Sequence, residues 1–479
     1  MTEPVIVWFR RDLRLADNPA LAAAAAGGQP VIAVYILDDE APGPWRPGGA
    51  SRWWLHLSLR SLSARLATAG SGLVLRRGPA GPVLRHLLAE TGARAVFWNR
   101  LYDPWAVRRD TAIKADLASQ GVTVGSHNGA LLFEPSRIQS RNGKPFRVFT
   151  PFWRACVAAP PPERPLAAPA RLRPAALPTA ERLEDWRLLP TRPDWAGGLR
   201  ATWEPGEPAG LRRLTAFVDD ALMRYGAERN RPDRGGTSRL SPHLHFGEIS
   251  ARQVWHAVSA APPELAGPFL RQIGWREFCH HLLHQVPSMP DEPLDRSFAG
   301  FAWHDEDESL SAWRCGRTGY PIVDAGMREL WETGWMHNRV RMIVASFLTK
   351  HLLVRWQSGE RWFWDTLVDA DLANNAAGWQ WVAGCGADAA PYFRIFNPVL
   401  QGERFDPEGD YVRRFVPEIA SLPAAVIHRP WDASGTVLAD AGVRLDQTYP
   451  RPLVEHAAAR RRALEAFEHS RGAAGRGAG

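Results

Sequence analysis

The segment Asp233–Ser250, DRGGTSRLSPHLHFGEIS, joins two adjacent glycines to a group of hydroxyl side chains. Gly235 and Gly236 permit close backbone approach, Thr237, Ser238 and Ser241 can cap a helix and donate hydroxyls, and Pro242 suits a first helical turn. Exposed N–H groups at a helix start, with hydroxyls beside them, form an anion site of the kind a pyrophosphate needs. Alone, the segment reads first as an ordinary Gly-Gly turn before a well-capped helix. Further along, Thr318–Met342 sets His337, Asn338, Arg339 and Arg341 at the start of an otherwise apolar helix. Asp369–Trp381, DADLANNAAGWQW, supplies two carboxylates, two asparagine amides and two tryptophans. Buried polar side chains need partners, so such clusters in an apolar helical region point to a polar ligand, with a structural polar network as the alternative. An aspartate can accept from ribose hydroxyls, and an asparagine can donate and accept at a heteroaromatic edge.

Composition narrows the partners. The chain of 479 residues has 22 tryptophans, eleven of them between Trp255 and Trp381. Core packing accounts for a typical buried indole, but this density also suits stacking on flat rings or passing electrons between indoles. Formal net charge is +7, and only three of the 58 basic residues are lysine. Arginine favours bidentate contact with phosphate, which makes a nucleic-acid partner plausible. A composition of 45% apolar and 23% charged residues is that of a soluble globular protein. No run is long and apolar enough for a membrane span, and the arginine-interrupted N-terminus does not read as a secretory signal. Cys156, Cys279, Cys315 and Cys385 are scattered, so free thiols in a reducing cytoplasm are expected, with no metal site.

The elements that must position these groups fall into two classes. Over residues 1–131, apolar β-branched runs (VIVWF at 5–9, PVIAVYILD at 30–38, LVLRR at 73–77, ARAVFW at 93–98) alternate with helical stretches. This predicts an α/β domain with a parallel, Rossmann-like sheet, although no G-x-G-x-x-G follows the first strand. Residues 132–206 read as an interdomain linker, rich in Pro and Ala from about 158. Residues 207–465 carry helical periodicity without convincing strands, predicting an all-α domain, and 466–479 read as a disordered Gly-rich tail.

TSRLSPHL, WREF, TGYPIVDAGMR, TGWMHNRVRM, DADLANNAAGWQW and DAAPYFRIFNP resemble, in order and spacing, the FAD-domain motifs of the DNA photolyase and cryptochrome family. WFRRDLRLADNPAL and VFTPFWRA resemble its N-terminal and interdomain signatures, and the closest pattern is that of bacterial cyclobutane-dimer photolyases of class I type. The resemblance implies an α/β antenna domain, a helical domain that binds FAD, and UV-damaged DNA as substrate for a light-driven lyase. It implies that Tyr225, Thr237, Ser238, Arg239, Leu240 and Ser241 hold the FAD phosphates and ribityl chain. Asp369, Ala370 and Asp371 would lie along flavin and ribose, with Arg341 paired to Asp369 and Arg276 nearby. Asn375 falls at the position facing flavin N5, where an amide, unlike the Asp of plant cryptochromes, cannot act as an acid. That favours repair over signalling. Trp379, Trp356 and Trp303 match the family's photoreducing tryptophan chain. On the DNA side, Trp275 and Trp381 match indoles that pack around a flipped lesion, Asn338, Arg339 and Met342 line the same pocket, and Arg229 and Gln401 fall near DNA.

Two departures from the pattern bear on specificity. Gln272 stands where many cyclobutane-dimer photolyases carry a lesion-bonding Glu. The (6-4) photolyases also have Gln there, but pair it with a His where this chain has Asn338. Cyclobutane-dimer repair is therefore the leading expectation, with (6-4) repair and cryptochrome-like photoreception as alternatives. Trp105 and Ala106 occupy the positions of a folate-gripping Asn-Glu pair, which leaves the second chromophore open between a deazaflavin, another flavin or none. A monomer is expected, since lesion access needs one open basic face.

Overall fold

The computed structural model describes residues 3–140, 143, 145–304, 308–389 and 393–476, with side chains to residue 470. Ala390, Pro391 and Tyr392 of the DAAPYFRIFNP motif lie outside the described residues. The chain divides into two compact units, one of residues 1–223, 238–287 and 368–373, the other of residues 224–237, 288–367 and 374–479.

In the first unit, β1 (Val5–Phe9), β2 (Val31–Leu37), β3 (Leu73–Arg77), β4 (Ala95–Asn99) and β5 (Thr123–His127) form a parallel sheet of order β3-β2-β1-β4-β5. The four apolar runs each become a strand. The edge strand β5 was not anticipated: its sequence, TVGSH, has one large apolar residue, and its place comes from pairing Ala95 to Thr123 and onward. Parallel neighbours require crossovers, supplied by helices Pro19–Ala26, Gly49–Thr68, Ala80–Thr91 and Pro104–Ser119. Ile6, Trp8, Ile32, Val34, Val96 and Trp98 pack with Leu84, Leu87, Ile113 and Leu117 into a core closed to water. Burial on this scale contributes roughly 25 cal/mol per Å² of apolar surface.

Beyond the sheet, α1 (Phe149–Ala158) crosses α2 (Pro263–Gln285) closely. Gly274 makes the crossing possible, because a Cβ there would meet the Trp153 ring at 2.5 Å. His281 of α2 accepts from the Phe146 N–H at 3.2 Å and packs against Phe152. Burial, and secondarily His284, pushes its imidazole down to about 4. Below the unfolded value of 6.5 the unfolded chain takes up a proton that the folded chain does not, so this contribution is present above pH 6.5 and is lost as pH falls towards 4. His281→Gln retains an acceptor for Phe146 and has nothing to titrate. Wild type should lose up to about 3 kcal/mol relative to H281Q between about pH 7 and pH 4. Urea unfolding at both pH values measures it, and a pH-independent difference would refute it.

Among its described residues the second unit is helical, with only isolated bridges such as His304↔Val354. Its relevant helices are α3 (Asn338–Ser346), α4 (Trp356–Thr366), residues 374–383 of α5 (Leu372–Ala383) and α6 (His456–Arg476). Helix α6 carries the chain through 466–476, where a disordered tail had been expected. Phe467 stacks on Phe393 with centroids 4.3 Å apart, and Ser470 Oγ donates to the Ser297 carbonyl. Packing of two aromatic rings outweighs the Gly-rich composition. Among the described residues, no helix is long and apolar enough to cross a membrane.

Candidate cofactor and DNA site

In the first unit, the turn before the short helix Ser241–His245 is strained. Arg239 has φ +50°, a left-handed conformation that a non-glycine residue rarely adopts. Its guanidinium lies over the Trp203 ring at 5.2 Å, and Ser238 Oγ accepts from the Leu240 N–H. The helix has only five residues, so its dipole is slight, and an anion here would rely on the N–H groups of the turn itself.

A cluster of charge gathers at the Asp369–Asp371 turn. His280 Nε2 stands 3.4 Å from Asp371 Oδ2, while its Nδ1 lies 3.0 Å from the Arg276 carbonyl. Burial pushes the Asp371 carboxyl up, but His280 and Arg11 outweigh it and hold Asp371 well below the usual carboxylate range. Burial, then Arg11, drives His245 down to about 3, so its imidazole is neutral, and its shielded Nδ1 has no partner among the described residues. An ionised acceptor and a neutral ring with an orphaned nitrogen suit the hydroxyls of a polar cofactor. Arg11, His245 and His280 were missed in the sequence reading. Arg11, whose ion pair is with Asp103, lies in a strand-end signature 360 residues from Asp371, the carboxyl that its charge favours.

On the same unit, Trp275 stacks face to face on Phe149, with centroids 4.0 Å apart and planes 7° apart. Glu277 Oε2 accepts from the Leu132 and Phe133 N–H groups, and Arg276 donates to the Ala130 carbonyl and to Glu277. The WREF motif therefore fastens the 130–133 segment to α2 and braces Trp275. Gln272 is half-buried beside it.

In the second unit, His337 caps α3 by accepting from the Arg339 N–H, and Glu329 holds that turn through the His337 N–H and the Tyr411 hydroxyl. Asn338 is exposed, with Met342 one turn on. Arg339 donates to Asn230 Oδ1 and lies over Phe405. Burial and the like charges of Arg229 and Arg404 lower its pKa, a repulsion that an anionic partner would relieve. Arg229 covers Tyr225, which is buried, and Arg341 donates to the Met336 carbonyl. Trp381 donates to the Asp388 carbonyl, and Gln401 sits half-buried on the helix Pro398–Phe405. Gly236 passes so close to Glu228 that a Cβ would meet it at 2.4 Å, whereas Gly235 has open space.

Two indoles, Trp356 and Trp379, meet at the first turns of α4, and the backbone of Trp303 runs near its start. Trp356 begins the helix and is buried. The His304↔Val354 bridge brings Trp303 alongside the residues just before it. One turn on, Gly359 lies so close to Trp379 that a Cβ would meet the ring at 2.1 Å. Trp379 also neighbours Phe363 at 5.0 Å and Trp313 at 6.2 Å, the latter not singled out from sequence. Asn375 Nδ2 donates to the Glu360 carbonyl at 3.0 Å, which turns the amide oxygen away as an acceptor.

A family profile described as DNA photolyase matches residues 5–170, and one described as the FAD binding domain of DNA photolyase matches residues 269–469. A deoxyribodipyrimidine photo-lyase of Agrobacterium fabrum is 54% identical over 97% of this chain and 98% of its own length. The chain belongs to the photolyase/cryptochrome family. Cryptochrome-1 of Arabidopsis thaliana is 41% identical over 96% of this chain and 70% of its own. The crystal structure of a bacterial class III photolyase from Agrobacterium tumefaciens superposes with a TM-score of 0.95 at 53% identity, covering 98% of both chains. The two-domain α/β and all-α architecture and the FAD-binding domain expected from the motifs are those of this photolyase-family chain.

Proposed function

We propose that this chain is a deoxyribodipyrimidine photo-lyase that uses light to split cyclobutane pyrimidine dimers in DNA, acting as a cytoplasmic monomer. The observation that carries the reading is the clamped amide of Asn375, which presents an oxygen and no acid proton. When bound, FAD supplies the light-excited electron that the dimer needs. The chain's own part is to hold, orient and screen. Ser238, Arg239, Leu240 and Ser241, with Thr237 and Tyr225, would hold phosphates and ribityl hydroxyls. Asp369, Ala370 and Asp371, with Arg276 and Arg341, would line flavin and ribose, and His245 and His280 fit this group. Trp379, Trp356 and Trp303 would carry electrons inward from the surface. Enzymes that work on a base, photolyases among them, take it out of the stack. By the family resemblance, Trp275 and Trp381 would each offer a flat face to an extruded dimer, and Gln272, Asn338, Met342 and Gln401 would contact it. Arg229 and Arg339 would contact phosphates. The domain limits at 131 and 206 belong to this reading.

The long match to a plant cryptochrome favours one second reading, a photoreceptor that binds flavin without repair. Photoreduced protein with cyclobutane-dimer DNA, and (6-4) DNA in parallel, separates the readings. Light-dependent restoration of the cyclobutane substrate is expected. Bound flavin with no restoration of either substrate would leave the photoreceptor, and restoration of (6-4) DNA alone would reassign the lesion.

A further inference from the structure

Glu360 lies on α4 among the groups assigned to photoreduction. It is one turn after Trp356, adjacent to the glycine that Trp379 packs against, and its carbonyl accepts the Asn375 amide. The residue is 0% exposed, and neither carboxyl oxygen has a hydrogen-bond partner among the described residues. An ionised carboxylate without partners in such a place would cost several kcal/mol. A neutral carboxylic acid fits far better, but its O–H still needs an acceptor that the described residues do not supply. Other buried acids are spoken for: Glu277 accepts two N–H groups and pairs with Arg276, and Asp324 accepts from Thr318, Gly319 and Tyr449. Glu360 alone of these stands idle, and it stands beside the proposed electron path. The charges acting on it are Asp291, which adds to the effect of burial in raising its pKa well above the usual range, and Arg361, which opposes both.

We propose that Glu360 is the proton reserve of the cofactor pocket, holding a proton in the dark and releasing it when an electron arrives along the tryptophans. The inference rests on the assignment of Trp379 and Asn375 to photoreduction. Trp379 gives up one electron to the bound cofactor. The Glu360 O–H bond breaks, its electron pair stays on the carboxylate, and the proton passes to the cofactor, so charge and atoms balance. The carboxylate left behind belongs to the residue next to the glycine that Trp379 packs against, and its negative charge favours the oxidised indole electrostatically. An external thiol reductant returns the electron to the tryptophans, and solvent returns the proton. Asn375 cannot fill this role, because an amide has no acid proton to give at neutral pH.

The test is light-minus-dark infrared spectroscopy on flavin-loaded protein, alongside transient visible absorption that times tryptophan oxidation and cofactor protonation separately. Wild type should lose a protonated-carboxyl C=O band on illumination. Glu360→Gln, which keeps the volume and helix propensity, should lack that band and slow cofactor protonation by about a hundredfold, the usual range for a positioned acid. Tryptophan oxidation should be unchanged. Glu360→Asp should restore the band at a shifted frequency and regain part of the rate. A carboxyl band that persists unshifted in both variants, or cofactor protonation at the wild-type rate in E360Q, would overturn the proposal. Absence of tryptophan oxidation in wild type would instead overturn the underlying assignment of the electron path.

Discussion

Trp379→Phe protein should bind flavin normally yet fail to photoreduce it under blue light, while chemically reduced protein still repairs. Trp379 is 3% exposed, held between Gly359 and Phe363, and shares α5 with Asn375 one turn earlier. Phenylalanine fills most of that space and has no comparably oxidisable ring, so the change removes the first member of the proposed relay with little effect on the fold. The α4 carbonyl that clamps Asn375 is untouched. Flavin content read by absorbance checks binding, and the rate of flavin bleaching with an external thiol reads the relay. Wild-type bleaching in W379F would show that electrons enter elsewhere, and loss of repair after chemical reduction would place the indole in repair itself. Trp356→Phe and Trp303→Phe should show the same split.

Trp275→Ala should weaken binding of dimer-containing DNA by about tenfold to a hundredfold and leave photoreduction intact. The magnitude follows from stacking a base on an aromatic face, worth about 1–3 kcal/mol. The effect should be selective for the lesion, because undamaged DNA stays in its own stack. Phe149 lies parallel beneath Trp275, so the indole enters the encounter already oriented and loses little rotamer freedom on binding. Arg339→Ala should behave differently. It would weaken damaged and undamaged DNA alike and reduce the slope of log affinity against log salt by about one, as expected for a lost phosphate contact. Equilibrium titrations at several salt concentrations distinguish the two. Equal losses for damaged and undamaged DNA in W275A would remove Trp275 from the lesion pocket.

Much of the candidate site was legible because its residues travel in contiguous motifs. The run from Asp369 to Trp381 is one turn and one helix, so local sequence already sets which residues share a face. Arg11, His245 and His280 were not legible. Each sits in a segment that reads as strand end or helix, and only the approach of distant segments brings these side chains to Asp371. Glu360 was passed over for the same reason. A glutamate on a helix is ordinarily a solvated residue, and nothing local signals that both its oxygens lie buried without a hydrogen-bond partner among the described residues. Edge strand β5 escaped because pairing to β4, rather than its own composition, makes it a strand.

Sequence alone determined the two-class architecture, since hydrophobic periodicity is a local property and switches from strand to helix along the chain. It also determined the family, through long motifs in a set order. Tertiary structure decided the protonation and orientation of the chemistry. Which way the Asp371 and Glu360 carboxyls are shifted, and which way the Asn375 amide points, depend on burial and on through-space partners. Those are set by packing between segments far apart in the chain, and no local pattern encodes them.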